Sequence, residues 1–119
     1  MVEPIDTPGH AALHVAPDAR WIRPPGGAWL DLRERHAARR LVLALIEHQR
    51  EAPGRGLSLD DLRHAGWPGE RMLPDAAANR VYVIMSQLRK LGFKPWLKRT
   101  HEGYFLDPAL SIQRVAGEP

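Results

Sequence analysis

The sequence contains no cysteine, which removes disulfides, zinc ribbons, thiol catalysis and iron–sulfur clusters together. No apolar run approaches the roughly 18 residues of a membrane span. The start, Met1-Val2-Glu3-Pro4-Ile5-Asp6, has neither the basic nor the apolar stretch of a secretory signal. Walker A, G-x-G-x-x-G and G-x-S-x-G patterns are missing, and Gly26-Gly27 and Gly54-Arg55-Gly56 read as turn glycines. The six histidines are scattered. His10 and His14 stand four apart, but no glutamate follows His10, so no metal site is expected. Asp60-Asp61 reads as the acidic first turn of a helix rather than a catalytic pair. The expectation is a soluble cytoplasmic protein, not an enzyme, with no cofactor and no membrane partner.

What is present suits one domain. The chain has 119 residues, 44% of them hydrophobic, enough to close a single core without staples. Its net charge of +3 only tilts the balance toward an anionic partner. The placement of that charge says more. Between Arg71 and Tyr104 seven basic residues meet only Asp75 and Glu102, a net +5, leaving −2 for the remainder. A basic C-terminal half on a mildly acidic scaffold is the first requirement of a nucleic-acid reader.

Residues 1–11 are poor in large apolar side chains and are expected to form a flexible lead-in. Leu13-His14-Val15, Trp21-Ile22 and Ala28-Trp29-Leu30 are short apolar pieces separated by Pro/Gly turns, which predicts a small antiparallel meander. Asp31 reads as the N-cap of helix 1, with Glu34 three residues on. Ala37, Leu41, Leu45 and His48 share one row, Val42 and Ile46 widen the stripe, and Pro53-Gly54 ends the helix after Glu51. Ser58 is the predicted cap of a short helix 2 over 59–65. The stretch Trp67 to Pro74 is too rich in Pro and Gly for regular structure. Asp75 is the expected N-cap of helix 3, which runs to about Leu91 before Gly92. Residues 96–100 and 104–106 then predict two strands around a His101-Glu102-Gly103 loop. Residues 108–119 read as a frayed tail, with Leu110 and Ile112 able to cover an edge of the core.

On a wheel of about 100° per residue, Val81, Ile84, Met85, Leu88, Leu91 and Gly92 make one buried stripe. The opposite face carries Ala76, Asn79, Val83, Ser86, Gln87 and Lys90, flanked by Arg80, Tyr82 and Arg89, with no carboxylate after Asp75. Small residues allow close approach, amides can pair bidentately with adenine, and valine can touch a thymine methyl. Cations at the rim reach phosphates.

Three helices followed by a basic hairpin resemble a winged helix-turn-helix, and the closest likeness is to the C-terminal effector domain of OmpR/PhoB-type response regulators. Val81-Tyr82-Val83-Ile84-Met85-Ser86-Gln87-Leu88-Arg89-Lys90 resembles that family's recognition helix, where a V-x-V start leads to L-R-K. Gly103-Tyr104 followed by Leu106 is similar to its G-Y-x-L wing strand. Trp67 stands where the family carries a Trp, and the early strands resemble its N-terminal sheet. The likeness covers about residues 12–107. Tyr82, Ile84 and Ser86 replace frequent Asp, His and Arg, Gln87 replaces a frequent base-contacting Arg, and the wing loop is one residue shorter. The docking mode is therefore implied, and the base specificity is not.

The resemblance implies an α+β fold: an N-terminal antiparallel sheet, three helices and a C-terminal β-hairpin wing. The implied function is sequence-specific binding of double-stranded DNA as a bacterial-type transcriptional regulator. Helix 75–91 would enter the major groove, and the wing, 97–106, would reach the backbone or minor groove. Asn79, Val83 and Gln87 are the candidate base contacts. Arg80, Ser86, Arg89, Lys90, Lys98, Arg99 and Thr100 are candidates for the DNA backbone, with His101 at the wing tip. The family's loop between helices 2 and 3 commonly faces RNA polymerase, which makes Glu70, Arg71 and Met72 its candidate contacts; Trp67 is expected to plug the core beneath. Head-to-tail binding on direct repeats is implied as well. The length leaves no room for a receiver domain beside the effector domain, so no phosphorylation switch is expected on this chain. The rival reading is a winged helix that docks an acidic protein through the same basic face.

Overall fold

The computed structural model describes residues 11–119. Strands β1 (Ala12–Val15), β2 (Trp21–Arg23) and β3 (Leu30–Asp31) form the expected antiparallel meander. Helices α1 (His36–Glu51), α2 (Leu59–Gly66) and α3 (Pro74–Leu88) follow. The hairpin of β4 (Leu97–Thr100) and β5 (Gly103–Leu106) comes next, and β6 (Ser111–Arg114) closes the chain's order. The architecture is α+β, with three helices and a small mixed sheet of order β3-β2-β1-β6 beside the two-stranded hairpin.

The sheet corrects the expected tail. β6 is not frayed: it pairs in parallel with β1, Ala12 opposite Ser111 through Val15 opposite Arg114. Gln49 of α1 explains the return, because its amide donates to the carbonyls of both Asp107 and Leu110, each at 2.9 Å. Leu110 is buried in the core, and Ile112 packs against it, so the expectation that these two cover a core edge stands. The boundary of the lead-in moves too: Ala11 is buried, and its carbonyl accepts from Ser111 N–H at 2.9 Å. Residues 1–10, including His10 of the doubted His10/His14 pair, lie outside the described residues.

Two caps are also corrected. Asp31 does not cap α1. It ends β3 opposite Trp21, and its carboxylate accepts from the backbone and guanidinium of Arg33. Strand pairing keeps Asp31 extended, so α1 begins only at His36, behind Arg35 and without a side-chain cap. Asp75 lies one residue inside α3, because Pro74 takes the first helical position, where its missing N–H costs nothing. Ser58 is the cap expected for α2, accepting from Asp61 N–H at 3.0 Å.

Leu13, Val15 and Ile22 of the sheet meet Leu41, Val42, Leu45 and Ile46 of α1. Leu62, Val81, Met85 and Leu88 bring α2 and α3 onto that layer. After Leu88 the backbone widens into a π-helical turn over Arg89–Phe93, with Gly92 at φ 122°. The non-helical Gly92 closes the helix, as expected; Leu91 before it is 38% exposed rather than buried, and Phe93 beyond it enters the core. Among the described residues no helix is long and apolar enough to cross a membrane.

Candidate nucleic-acid interface

Helix α3 buries Ala77, Val81, Met85 and Leu88, which turns its other face to solvent. Ala76, Asn79, Val83, Ser86, Gln87 and Lys90 are all exposed, Val83 by 47%. The amides of Asn79 and Gln87 and the ammonium of Lys90 make no hydrogen bond or ion pair among the described residues, so their donors and acceptors are free for a ligand. On the hairpin, Lys98, Arg99, Thr100 and His101 are exposed.

The remaining candidates already have partners. Arg80 donates to Glu70 at 3.2 Å and lies 5.8 Å from the Trp67 ring centroid. Trp67 is half-buried and packs against the core, as expected, and its ring also carries this guanidinium. Arg89 is half-buried, donates to the Leu97 carbonyl at 3.3 Å and stacks on Tyr104 at 5.6 Å. It therefore joins helix to hairpin. Arg99 donates to the Tyr82 hydroxyl at 3.1 Å. The Thr100 hydroxyl accepts from Glu102 N–H at 3.2 Å, so it shapes the hairpin loop.

The tip is anchored by contacts that sequence reasoning missed. Arg55 donates through Nε and Nη2 to both Glu102 oxygens, the closest at 2.5 Å. The Arg55 guanidinium holds the Glu102 carboxyl below the usual glutamate range. Leu57 forms an antiparallel bridge with Tyr104, donating at 2.6 Å and accepting at 3.0 Å. Gly103 makes that approach possible: at φ 140°, a Cβ there would sit 1.9 Å from the Leu57 carbonyl oxygen. The available signal was a cation between two glycines, Gly54-Arg55-Gly56, which reads locally as nothing more than a turn.

Two acids close to the candidate elements are thus paired, Glu70 with Arg80 and Glu102 with Arg55, while Asp75 in the first turn of α3 has no ion pair among the described residues. Lys90, Lys98 and Arg99 stay without a carboxylate among the described residues. Such a surface presents a helix face of amides and small side chains beside a strand of cations, and it suits a polyanion.

Glu70, Arg71 and Met72 come together elsewhere. They line a groove of about 600 Å³ with Leu59, Arg63 and Pro74, and Leu73 beside it is 78% exposed. Asp60, at the groove's edge, accepts from Arg63 at 2.9 Å, and this bond holds its carboxyl below the usual range. Among the described residues no three His, Cys, Asp or Glu side chains gather as a metal site would require. Comparison with protein families, with curated proteins and with solved structures finds no match to this chain.

Proposed function

We propose that this chain is a sequence-specific double-stranded DNA-binding protein of OmpR/PhoB-like winged helix-turn-helix type, acting as a bacterial-type transcriptional regulator in the cytoplasm. The carrying observation is the solvent face of α3: Asn79, Val83 and Gln87 exposed and uncommitted, with no carboxylate beyond Asp75. An α-helix fits the roughly 12 Å major groove of B-DNA, so residues 75–91 lie in that groove and the 97–106 hairpin reaches the flanking backbone or minor groove. Asn79, Val83 and Gln87 read base edges. Ser86, Lys90, Lys98 and Arg99 hold phosphates, with His101 at the tip. Arg80 joins them once it leaves Glu70. Arg89 supports the reading indirectly, through the hairpin it anchors.

The groove at Glu70, Arg71 and Met72, with Leu73 exposed beside it, favours a second, protein-facing surface, and RNA polymerase is the partner that the family likeness suggests. Head-to-tail occupancy of direct repeats follows from the same likeness. The rival is docking of an acidic protein on the basic face. Selection from random duplexes followed by sequencing separates the two. A DNA reader returns a preferred site, and its log K falls by about 0.9 per neutralised phosphate per unit of log salt. Recovery of no sequence preference, at low salt as well as at physiological salt, rejects the reading.

A further inference from the structure

Arg99 is the most firmly held of the exposed hairpin cations. Its guanidinium carbon lies 4.7 Å from the Tyr82 ring centroid and 5.3 Å from that of Tyr104. One amino group donates to the Tyr82 hydroxyl at 3.1 Å. Tyr104 is buried, bridged to Leu57, and carries Arg89 at 5.6 Å. Tyr82, Arg99, Tyr104 and Arg89 thus form a continuous stack that runs from α3 through β4 and β5 to the turn behind α3. A guanidinium has five N–H donors in a planar fork. The two rings and the one hydroxyl leave Nε and the other amino group without a protein acceptor among the described residues, and no carboxylate pairs with Arg99 there.

A long cation normally loses rotamer freedom when it meets an anion, and that loss is subtracted from binding. Arg99 is already held by two rings and a hydroxyl in the folded chain, so part of that loss falls on folding. We propose that Tyr82 is a positioning residue which acts through Arg99: it presents the free edge of the guanidinium as a pre-oriented donor for a phosphate oxygen of the DNA strand beside the hairpin. The inference rests on the DNA-binding reading above. It adds a role for a side chain on the flank of α3 that reads no base itself.

The test is a double-mutant cycle on binding to a short random-sequence duplex over a salt series, with wild type, Tyr82→Phe, Tyr82→Leu, Arg99→Ala and the Leu/Ala double variant. Tyr82→Phe keeps the ring under the guanidinium and is expected to lose about twofold, with the salt slope unchanged. Tyr82→Leu and Arg99→Ala are each expected to lose about tenfold, and the double variant no more than either alone. Arg99→Ala also lowers the salt slope by about 0.9. A side chain that merely supports the fold would weaken binding just as much without Arg99. Losses that multiply in the double variant, or a loss in Tyr82→Leu with none in Arg99→Ala, overturn the inference while DNA binding stands. A wild-type chain that binds no duplex overturns the DNA reading first, and this inference with it.

Discussion

Gln87 and Lys98 are both exposed and uncommitted, yet on the proposed DNA-binding reading they meet different parts of a duplex. On that reading an amide on the central face of α3 would discriminate bases, whereas an ammonium on β4 would meet phosphate. Gln87→Ala is expected to cost about 1–3 kcal/mol on a selected site and to relax one position of it. Lys98→Ala should weaken selected and scrambled duplexes equally. Parallel titrations on the two duplexes check both. Arg80 poses a different question, since it is paired with Glu70 and on the same reading a phosphate would compete for it. Glu70→Gln is expected to raise affinity for random duplex about two- to fivefold, the scale of an exposed ion pair, and to steepen the salt dependence by about one phosphate. An unchanged salt slope would place Arg80 outside the DNA contact. Exposure at this scale was legible in the sequence: all six residues on the outer face of the wheel face solvent. Commitment was not. The partner of Arg80 lies ten residues away across a loop, and that of Arg55 forty-seven residues away.

At the scale of elements, the hairpin's tip is held by contacts from outside its two strands. Gly103 is the tightest point of that tip. Gly103→Ala would drive a methyl into the Leu57 carbonyl from a backbone conformation that alanine disfavours, and is expected to cost about 3 kcal/mol of stability in urea denaturation. The tip depends on the Arg55–Glu102 pair. Because the pair lowers the folded-state pKa of Glu102, its contribution is fully present above the ordinary glutamate value and is lost as pH falls through the lowered one. An NMR titration of the Glu102 carboxyl is expected to show a depressed midpoint in the wild type. Arg55→Ala should return it to the usual range, and an identical midpoint in both proteins would discount the pair. Helix α2 and its Ser58 cap were legible because a cap and a helix are local. The start of α1 was not, because pairing with Trp21 outweighed the capping preference of Asp31.

At the scale of the molecule, β6 changes where the domain ends. Residues beyond Asp107 supply a sheet strand, a buried Leu110 and one of the two acceptors of the Gln49 amide. Burial of one leucine contributes about 1.5–3 kcal/mol, and truncation after Asp107 also bares the edge of β1. Removal of residues 108–119 is expected to lower unfolding stability by about 3 kcal/mol or more, together with the denaturant slope, since less surface would be buried. A truncated chain as stable as the full one would contradict the role of β6.

The sequence by itself determined three helices, a hairpin after them, and an α3 that turns amides and a valine outward. These depend on periodicity, caps and turn residues, which act within a few positions of one another. Only the tertiary structure decided that the last residues return to β1, that Phe93 beyond Gly92 enters the core while Leu91 stays exposed, and which arginines remain free. A sequence with fourteen acids and seventeen basic residues permits many pairings of similar energy, and only packing brings particular partners into reach.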